Sequence, residues 1–514
     1  MQTPCPASGR GVSFEPPAPP PAMRPFLSAA VLLVALAASG CAPAVTAVST
    51  TPAGQAAIER AVQGALVRSG LAQATPVTES ALPASLVAGP MLADVTHRSA
   101  VVWVQVSGPA DVRVEAVPVG ADSAEAVTAA ATAAPDGTAS VSLFGLTPGV
   151  TYEYRVLVDG TDATPTGYPT TLTAQPLWQW REDPPAFTAA IGSCYYDNEP
   201  PFDRPGTPYG GATGIFEQIR AQRPDLMVWL GDNTYLREVD WWSAGGIAHR
   251  FRHNRAEADL QPLLASAAHY ATWDDHDFGP NDSDRSYVLK DVTLATFSRF
   301  WPAASRGHDG VPGVFTHFQW ADVDFFLLDD RYHRAPNDAP EAERTILGPE
   351  QRQWILDALT GSQAPFKVVA VGGQFLNPVP VFETFAAIAP AERDALLDEI
   401  ARREIDGVVF LSGDRHHAEL IRIDREGTYP LYEFTSSPLT AGASTYATRT
   451  DSPEYENPAR VPGTLIAGEH NFGTLTVTGP RTDRTMTMRA YTASGALAWE
   501  HAVRARDLQT PRGE

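Results

Sequence analysis

Between residues 187 and 414 one pattern recurs: a short, unbroken apolar run stops abruptly at residues that are costly to bury. The runs are FTAAIGSC (187–194), DLMVWLGD (225–232), HYATWDD (269–275), VDFFLLDD (323–330), FKVVAVGG (366–373) and GVVFLSGD (407–414). Helical periodicity separates them over 214–222, 349–359 and 390–403. Apolar runs without alternation belong to strands covered on both faces, and strands separated by helices belong to a mostly parallel sheet. The carboxyl ends of such strands converge on one crevice. The pattern therefore predicts an α/β core whose strand ends gather Ser193-Cys194, Asp232 to Tyr235, Asp274 to Asp277 and Asp414 to His417.

Carboxylates gathered in this way repel one another, and desolvation penalises each further unless cations neutralise them. Cys, Asp, Tyr, Asn and His together form a metal-ligand inventory larger than one ion needs. Singly, each fragment has an ordinary explanation: Gly231-Asp232 as a turn, His417 as a solvent-facing neighbour. Four such fragments, all at strand ends, favour a metal site.

The remaining chain limits what surrounds that core. At 44% hydrophobic it is too apolar to be disordered. With 60 acidic against 38 basic residues, a net charge of −22 disfavours a general nucleic-acid surface. Three cysteines cannot build a disulfide framework. Residues 1–22 are proline-rich. Met23-Arg24, the apolar run 26–38 and Ser39-Gly40-Cys41 then read as a signal peptide, with the start at Met1 or Met23. The ending at 38–41 resembles a bacterial lipoprotein box, which implies lipid on Cys41. The expectation is an exported protein, periplasmic or at the cell surface, that meets the membrane only through that anchor. Residues 42–85 read as a tether. From 86 to 178 the period changes to two, in VVWVQV, VRVEAV, ASVSLFGL and TYEYRVLV, which predicts a small all-β sandwich. It resembles a fibronectin type III or purple acid phosphatase N-terminal domain, and with no acid/histidine cluster it reads as scaffold. The catalytic domain is expected over 179–505, with a tail at 506–514.

Gly192-Ser193-Cys194, Gly231-Asp232-x-x-Tyr235, Trp273 to Asp277 with Asn281, Leu328 to Arg331, and Gly413-Asp414-x-His416 resemble, in this order, the motif set of the PhoD-like alkaline phosphatase D family, calcineurin-like metallophosphoesterases. The resemblance implies an α/β (α+β) sandwich of two central sheets flanked by helices. It implies a first metal held by Cys194, Asp232, Tyr235 and His416, and a second, bridged by Asp232, held by Asp275, Asn281 and Asp414. His276 would face the leaving oxygen, with Asp232 beside it in the catalytic centre. Arg331 and Arg255 are candidates for the phosphate oxygens. Thiolate and phenolate on one ion suit ferric iron, because both protons must be displaced from groups with pKa values of about 8.5 and 10. An oxygen-only second site suits calcium, with magnesium or zinc as alternatives. The implied activity is hydrolysis of phosphomonoesters or phosphodiesters by in-line attack of a metal-bound hydroxide on phosphorus. The rival reading is a non-catalytic cell-surface binding lipoprotein with a calcium-stabilised core.

Overall fold

The computed structural model describes residues 84–511, so Cys41, the signal and most of the tether lie outside the described residues. The first eight strands are β1 (Leu86–Ala93), β2 (Ser99–Val106), β3 (Asp111–Pro118), β4 (Val127–Thr132), β5 (Thr138–Phe144), β6 (Thr151–Val158), β7 (Thr161–Asp162) and β8 (Thr171–Thr173). The core begins with β9 (Phe187–Gly192), β10 (Leu226–Leu230) and β11 (Ala268–Thr272). It continues with β12 (Thr316–Trp320), β13 (Val323–Leu327), β14 (Phe366–Ala370), β15 (Val408–Ser412), β16 (His417–Ile423) and β17 (Leu431–Thr435). The last strands are β18 (Ile466–Ala467), β19 (Asn471–Thr478), β20 (Thr485–Thr492) and β21 (Leu497–Arg504).

These strands form two large mixed sheets where the apolar runs predicted one mostly parallel sheet. Nine strands run in the order β21-β20-β19-β9-β10-β11-β1-β2-β5, and seven in the order β12-β13-β14-β15-β17-β16-β18. Parallel pairing is confined to their centres, among β9, β10, β11 and β1 and among β13, β14, β15 and β17. Strict alternation of side chains explains why the central runs are apolar throughout. Leu226, Val228 and Leu230 of β10 face a core shared with Phe325, Leu327 and Val369 of the other sheet. Met227 and Trp229 of the same strand face a second core with Phe251, Leu263 and Phe297 from the helices Ala244–Arg255, Gln261–Ser266 and Lys290–Phe300. The predicted helices appear at Ile215–Ala221, Gly348–Gly361 and Pro390–Arg402.

The 86–178 segment does pair its strands around a shared core: Val102, Val104 and Val141 meet Val112, Val114 and Val156. Tyr152, at the start of β6, ties the preceding turn down by accepting the Thr147 N–H at 2.8 Å. One of its two sheets, however, is not its own. β1 pairs in parallel with β11 through Leu92 and Ala268, so β1, β2 and β5 extend the nine-stranded sheet. The pairing covers edges that β1 and β11 would otherwise expose, and the described residues fall within one unit.

β11 also carries a pH-sensitive group. His269 is buried, its Nδ1 accepting the Trp229 indole N–H at 3.0 Å and its Nε2 lying 3.1 Å from the Leu263 carbonyl. That pairing fixes the neutral tautomer with the proton on Nε2. Burial pulls its pKa down to about 3 from 6.5. Because the folded value lies below the unfolded one, the contribution is fully present above pH 6.5 and is lost as pH falls towards 3. The expected slope is about 1.4 kcal/mol per pH unit. Urea unfolding at a series of pH values checks it: His269→Gln should flatten this acid limb relative to the parent.

Candidate metal centre

Each sheet delivers its strand ends to the same place, and glycines permit the approach. A Cβ on Gly413, just past β15, would lie 2.6 Å from the Leu230 carbonyl oxygen of β10. Gly231 has φ +90°, and a Cβ there would lie 2.7 Å from Asp274. The sheets are also tied directly. The Thr272 hydroxyl donates to the Leu328 carbonyl at 2.5 Å, and the Trp273 indole N–H to Asp329 at 2.8 Å.

Four residues past these strand ends hold left-handed backbone although none is glycine: Cys194 (φ 58°), Asp232 (52°), Asp414 (62°) and His416 (54°). This conformation costs roughly 1 kcal/mol or more per residue and persists where surrounding structure enforces it. The result is convergence. Ligand atoms of Cys194, Asp232 and His416 lie within 4.8 Å of one another, as do those of Asp232, Asp275 and His276. Cys194 Sγ is 3.7 Å from Asp232 Oδ2 and accepts the Ser437 hydroxyl at 3.1 Å. The Tyr235 hydroxyl is 3.3 Å from His416 Nε2, and the other nitrogen of that ring, Nδ1, is 2.5 Å from the Gly442 carbonyl. The His276 ring stacks on Tyr235 with centroids 4.2 Å apart, and its backbone N–H donates to both Asp232 (3.2 Å) and Asp275 (2.9 Å).

Electrostatics show what this cluster needs. Burial pushes the Cys194 thiol up to about 11, with Asp414 adding to the effect. Burial, then the Asp232 and Cys194 charges, raise Tyr235 well above 10. Asp232 is raised well above the ordinary range by burial and by Asp275. Asp275 takes the opposite course: burial would raise it, but His276 and Arg331 outweigh that and hold it low. Burial raises Asp414 and lowers His416. No lysine or arginine forms an ion pair with Asp232 or Asp275 among the described residues. Buried thiol, phenol, imidazole and carboxylates that crowd and repel one another fit metal ions, which would displace the protons and neutralise the charges.

Other sequence candidates are placed elsewhere. Asn281 is exposed on the turn after the helix Asp275–Phe278. Its neighbour Asp282, also exposed, is the one that meets the site: its N–H donates to Asp275 at 2.7 Å, and its carboxylate clusters with those of Asp275 and Glu383. Arg331 is fully buried and committed to carboxylates, with Nε on Asp274 Oδ1 at 2.6 Å and NH2 on Glu383 Oε2 at 2.7 Å. Arg255 lies in the apolar core, its guanidinium 4.0 Å from the Trp301 ring centre and bonded to the Phe300 carbonyl. Neither arginine has a free fork for a phosphate. His417 sits apart, with Glu419 and Glu454.

Sequence reading missed Ser437, Asp282, Glu383 and Arg237. Ser437 had a signal, since it follows the apolar strand β17 as Cys194 follows β9. Glu383 had none.

The family described as PhoD-like phosphatase matches residues 193–488, more than half of the chain. The chain belongs to the PhoD-like phosphatase family. Within this family context, the segment expected to resemble fibronectin type III matches a domain of unknown function (DUF7800) over residues 83–175. Alkaline phosphatase D of Bacillus subtilis (strain 168) is 25% identical over 372 residues, covering 61% of this chain and 60% of the relative. The chain thus aligns with about 60% of the length of that curated relative. A solved structure of PhoD shares the fold with a TM-score of 0.64 at 19% identity, covering 80% of this chain and 91% of its own. A purple acid phosphatase, PPD1, from yellow lupin (Lupinus luteus) seeds has a TM-score of 0.58 at 13% identity, covering 82% of this chain and 75% of its own. Both place this PhoD-like phosphatase in a mixed α/β architecture of several sheets.

Proposed function

We propose that this chain is a metal-dependent phosphoesterase that hydrolyses phosphomonoesters and phosphodiesters. The observation that carries the reading is the meeting of Cys194, Asp232 and His416 within 4.8 Å of one another, with the Tyr235 hydroxyl beside His416. Those four would hold ferric iron. Asp232 would be shared with an oxygen-rich site built from Asp275 and Asp414, suited to calcium. Once bound, the ions lower the pKa of water and neutralise charge on phosphoryl oxygens.

The chain's own residues do the rest. The Gly442 carbonyl fixes the His416 ring through Nδ1 and leaves Nε2 for the metal. Ser437 orients the Cys194 sulfur. His276, held by burial to a pKa of about 4, is neutral at pH 7 and so carries a single ring proton. Its Nδ1 is enclosed without a partner, and Nε2 has no hydrogen bond among the described residues. That ring, stacked on Tyr235, would hold its proton towards the departing ester oxygen.

Assays with p-nitrophenyl phosphate and bis-p-nitrophenyl phosphate, before and after chelation and alongside metal analysis, test the reading. Both esters should be hydrolysed. EDTA should remove activity and calcium should restore it, while iron persists with a visible phenolate-to-iron band that Tyr235→Phe bleaches. Activity indifferent to chelation overturns metal dependence, and a colourless, iron-free, fully active protein overturns iron. Calcium binding without turnover of either ester points to the binding lipoprotein instead.

A further inference from the structure

A phosphate ester bound over this cluster faces many carboxylates, and both arginines nominated from sequence are occupied elsewhere. Arg237, two residues beyond Tyr235, is differently placed. Its guanidinium carbon lies 4.5 Å from the ring centre of Tyr196, 5.3 Å from that of Tyr209 and 5.5 Å from that of Tyr235. The same Tyr235 stacks on His276 and reaches His416, so the three rings form one wall of the candidate centre. Arg237 Nε donates to the Tyr196 hydroxyl at 3.0 Å, and that hydroxyl donates to Asp203 at 2.5 Å, which fixes the plane of the fork.

What Arg237 lacks is a carboxylate. Arg331 is paired with Asp274 and Glu383, Arg334 with Glu383, and Arg415 with Glu454. Arg237 is only 4% exposed, yet its side chain forms no ion pair among the described residues. Its two terminal nitrogens have no hydrogen-bond partner there and, unlike those of Arg250, are not sealed from solvent. A guanidinium this enclosed is costly without a counter-anion, and the aromatic faces offset only part of that cost.

We propose that Arg237 binds the substrate's phosphoryl group, its terminal nitrogens forking onto non-bridging oxygens of the ester while Tyr196 and Tyr209 hold the guanidinium in plane. The assignment rests on the phosphoesterase reading. It makes Arg237 a substrate-binding residue, and it makes Tyr196, through its hydroxyl, a positioning residue. A planar fork matches two phosphoryl oxygens in a way that a lysine ammonium cannot.

The experiment titrates inorganic phosphate calorimetrically into the metal-loaded parent, Arg237→Gln and Arg237→Lys. It also measures kcat and KM for p-nitrophenyl phosphate, each normalised to iron content. Arg237→Gln should weaken phosphate binding and raise KM together by roughly 10- to 100-fold, the range of a hydrogen bond to a charged group. Arg237→Lys, which keeps the charge but loses the fork, should lose less. Unchanged phosphate affinity and KM in a less stable Arg237→Gln would mean a purely structural arginine and would overturn the assignment. Should Arg237→Gln not fold, Arg237→Lys decides alone, because parental phosphate affinity there overturns the fork. If the parent binds phosphate through Arg237 yet hydrolyses no ester, the phosphoesterase reading fails and the anion site stands. If the parent hydrolyses esters and neither variant changes KM, the reading stands and the anion site fails.

Discussion

Asp232→Asn should lower turnover of p-nitrophenyl phosphate on the order of a thousandfold, the scale of losing one preorganised charge-stabilising group, while the protein stays folded. Asp232 is common to the Cys194/Asp232/His416 and Asp232/Asp275/His276 groups, so one carboxylate serves both. Asparagine keeps the shape, tolerates the left-handed backbone at φ 52° and can still accept the His276 N–H. It brings no charge, and one of its two positions becomes an NH2. In the metal-free protein this removes a carboxyl that burial and Asp275 already drive towards its protonated form. The metal-free melting temperature should therefore hold or rise, and scanning calorimetry beside the assay checks both halves. Parental turnover would leave Asp232 without a role in the reaction, and a protein that no longer folds would make it a structural residue.

Arg331→Met should destabilise the protein by about 3–5 kcal/mol, the usual loss when one partner of a buried ion pair is removed. Set against a typical total of about 5–15 kcal/mol, this is a large fraction. Arg331 is fully buried among Asp274, Asp330 and Glu383, and it also bonds both oxygens of Glu383. Methionine fills much of the volume but leaves Asp274 and Asp330 without the cation they face, while Glu383 keeps only Arg334. Lysine should restore little, since one ammonium cannot fork to Asp274 and Glu383 together. The sign with pH follows: orphaned carboxylates have raised folded pKa values, so the variant should regain stability relative to the parent as pH falls. Urea unfolding at pH 7 and pH 5 measures both effects. A raised KM with parental stability would instead return Arg331 to the phosphate-binding role expected from sequence.

The Arg331 case shows where sequence reading stopped. Leu328-Asp329-Asp330-Arg331 marks a strand end and puts the arginine near the site, but not which anion it meets. Its partner Glu383 is 52 residues away in a loop without a recognisable motif. Asn281 and Asp282 differ by one position in a turn, and only the backbone path after Gly279-Pro280 decides which of them faces Asp275. The helices Ala244–Arg255 and Lys290–Phe300 were not foreseen either, because their buried residues, including Arg250 and Asn254 in the first, do not make a clean apolar stripe. β4, an Ala/Thr strand half-exposed along its length, carries too weak an alternation to read.

The sequence by itself determined the central strands, their termination at polar residues, and so the chemical inventory of the site. Burial on both faces demands unbroken apolar runs, and strand ends are where costly groups can escape them. Tertiary structure decided that β1 joins the nine-stranded sheet through Leu92 and Ala268, and that Arg331 and Arg255 are committed to interior partners while Arg237 lies against the ring of Tyr196. Those outcomes depend on partners dozens to hundreds of residues away. A guanidinium goes to whichever anion or ring the fold brings nearest, and local sequence carries no record of that distance.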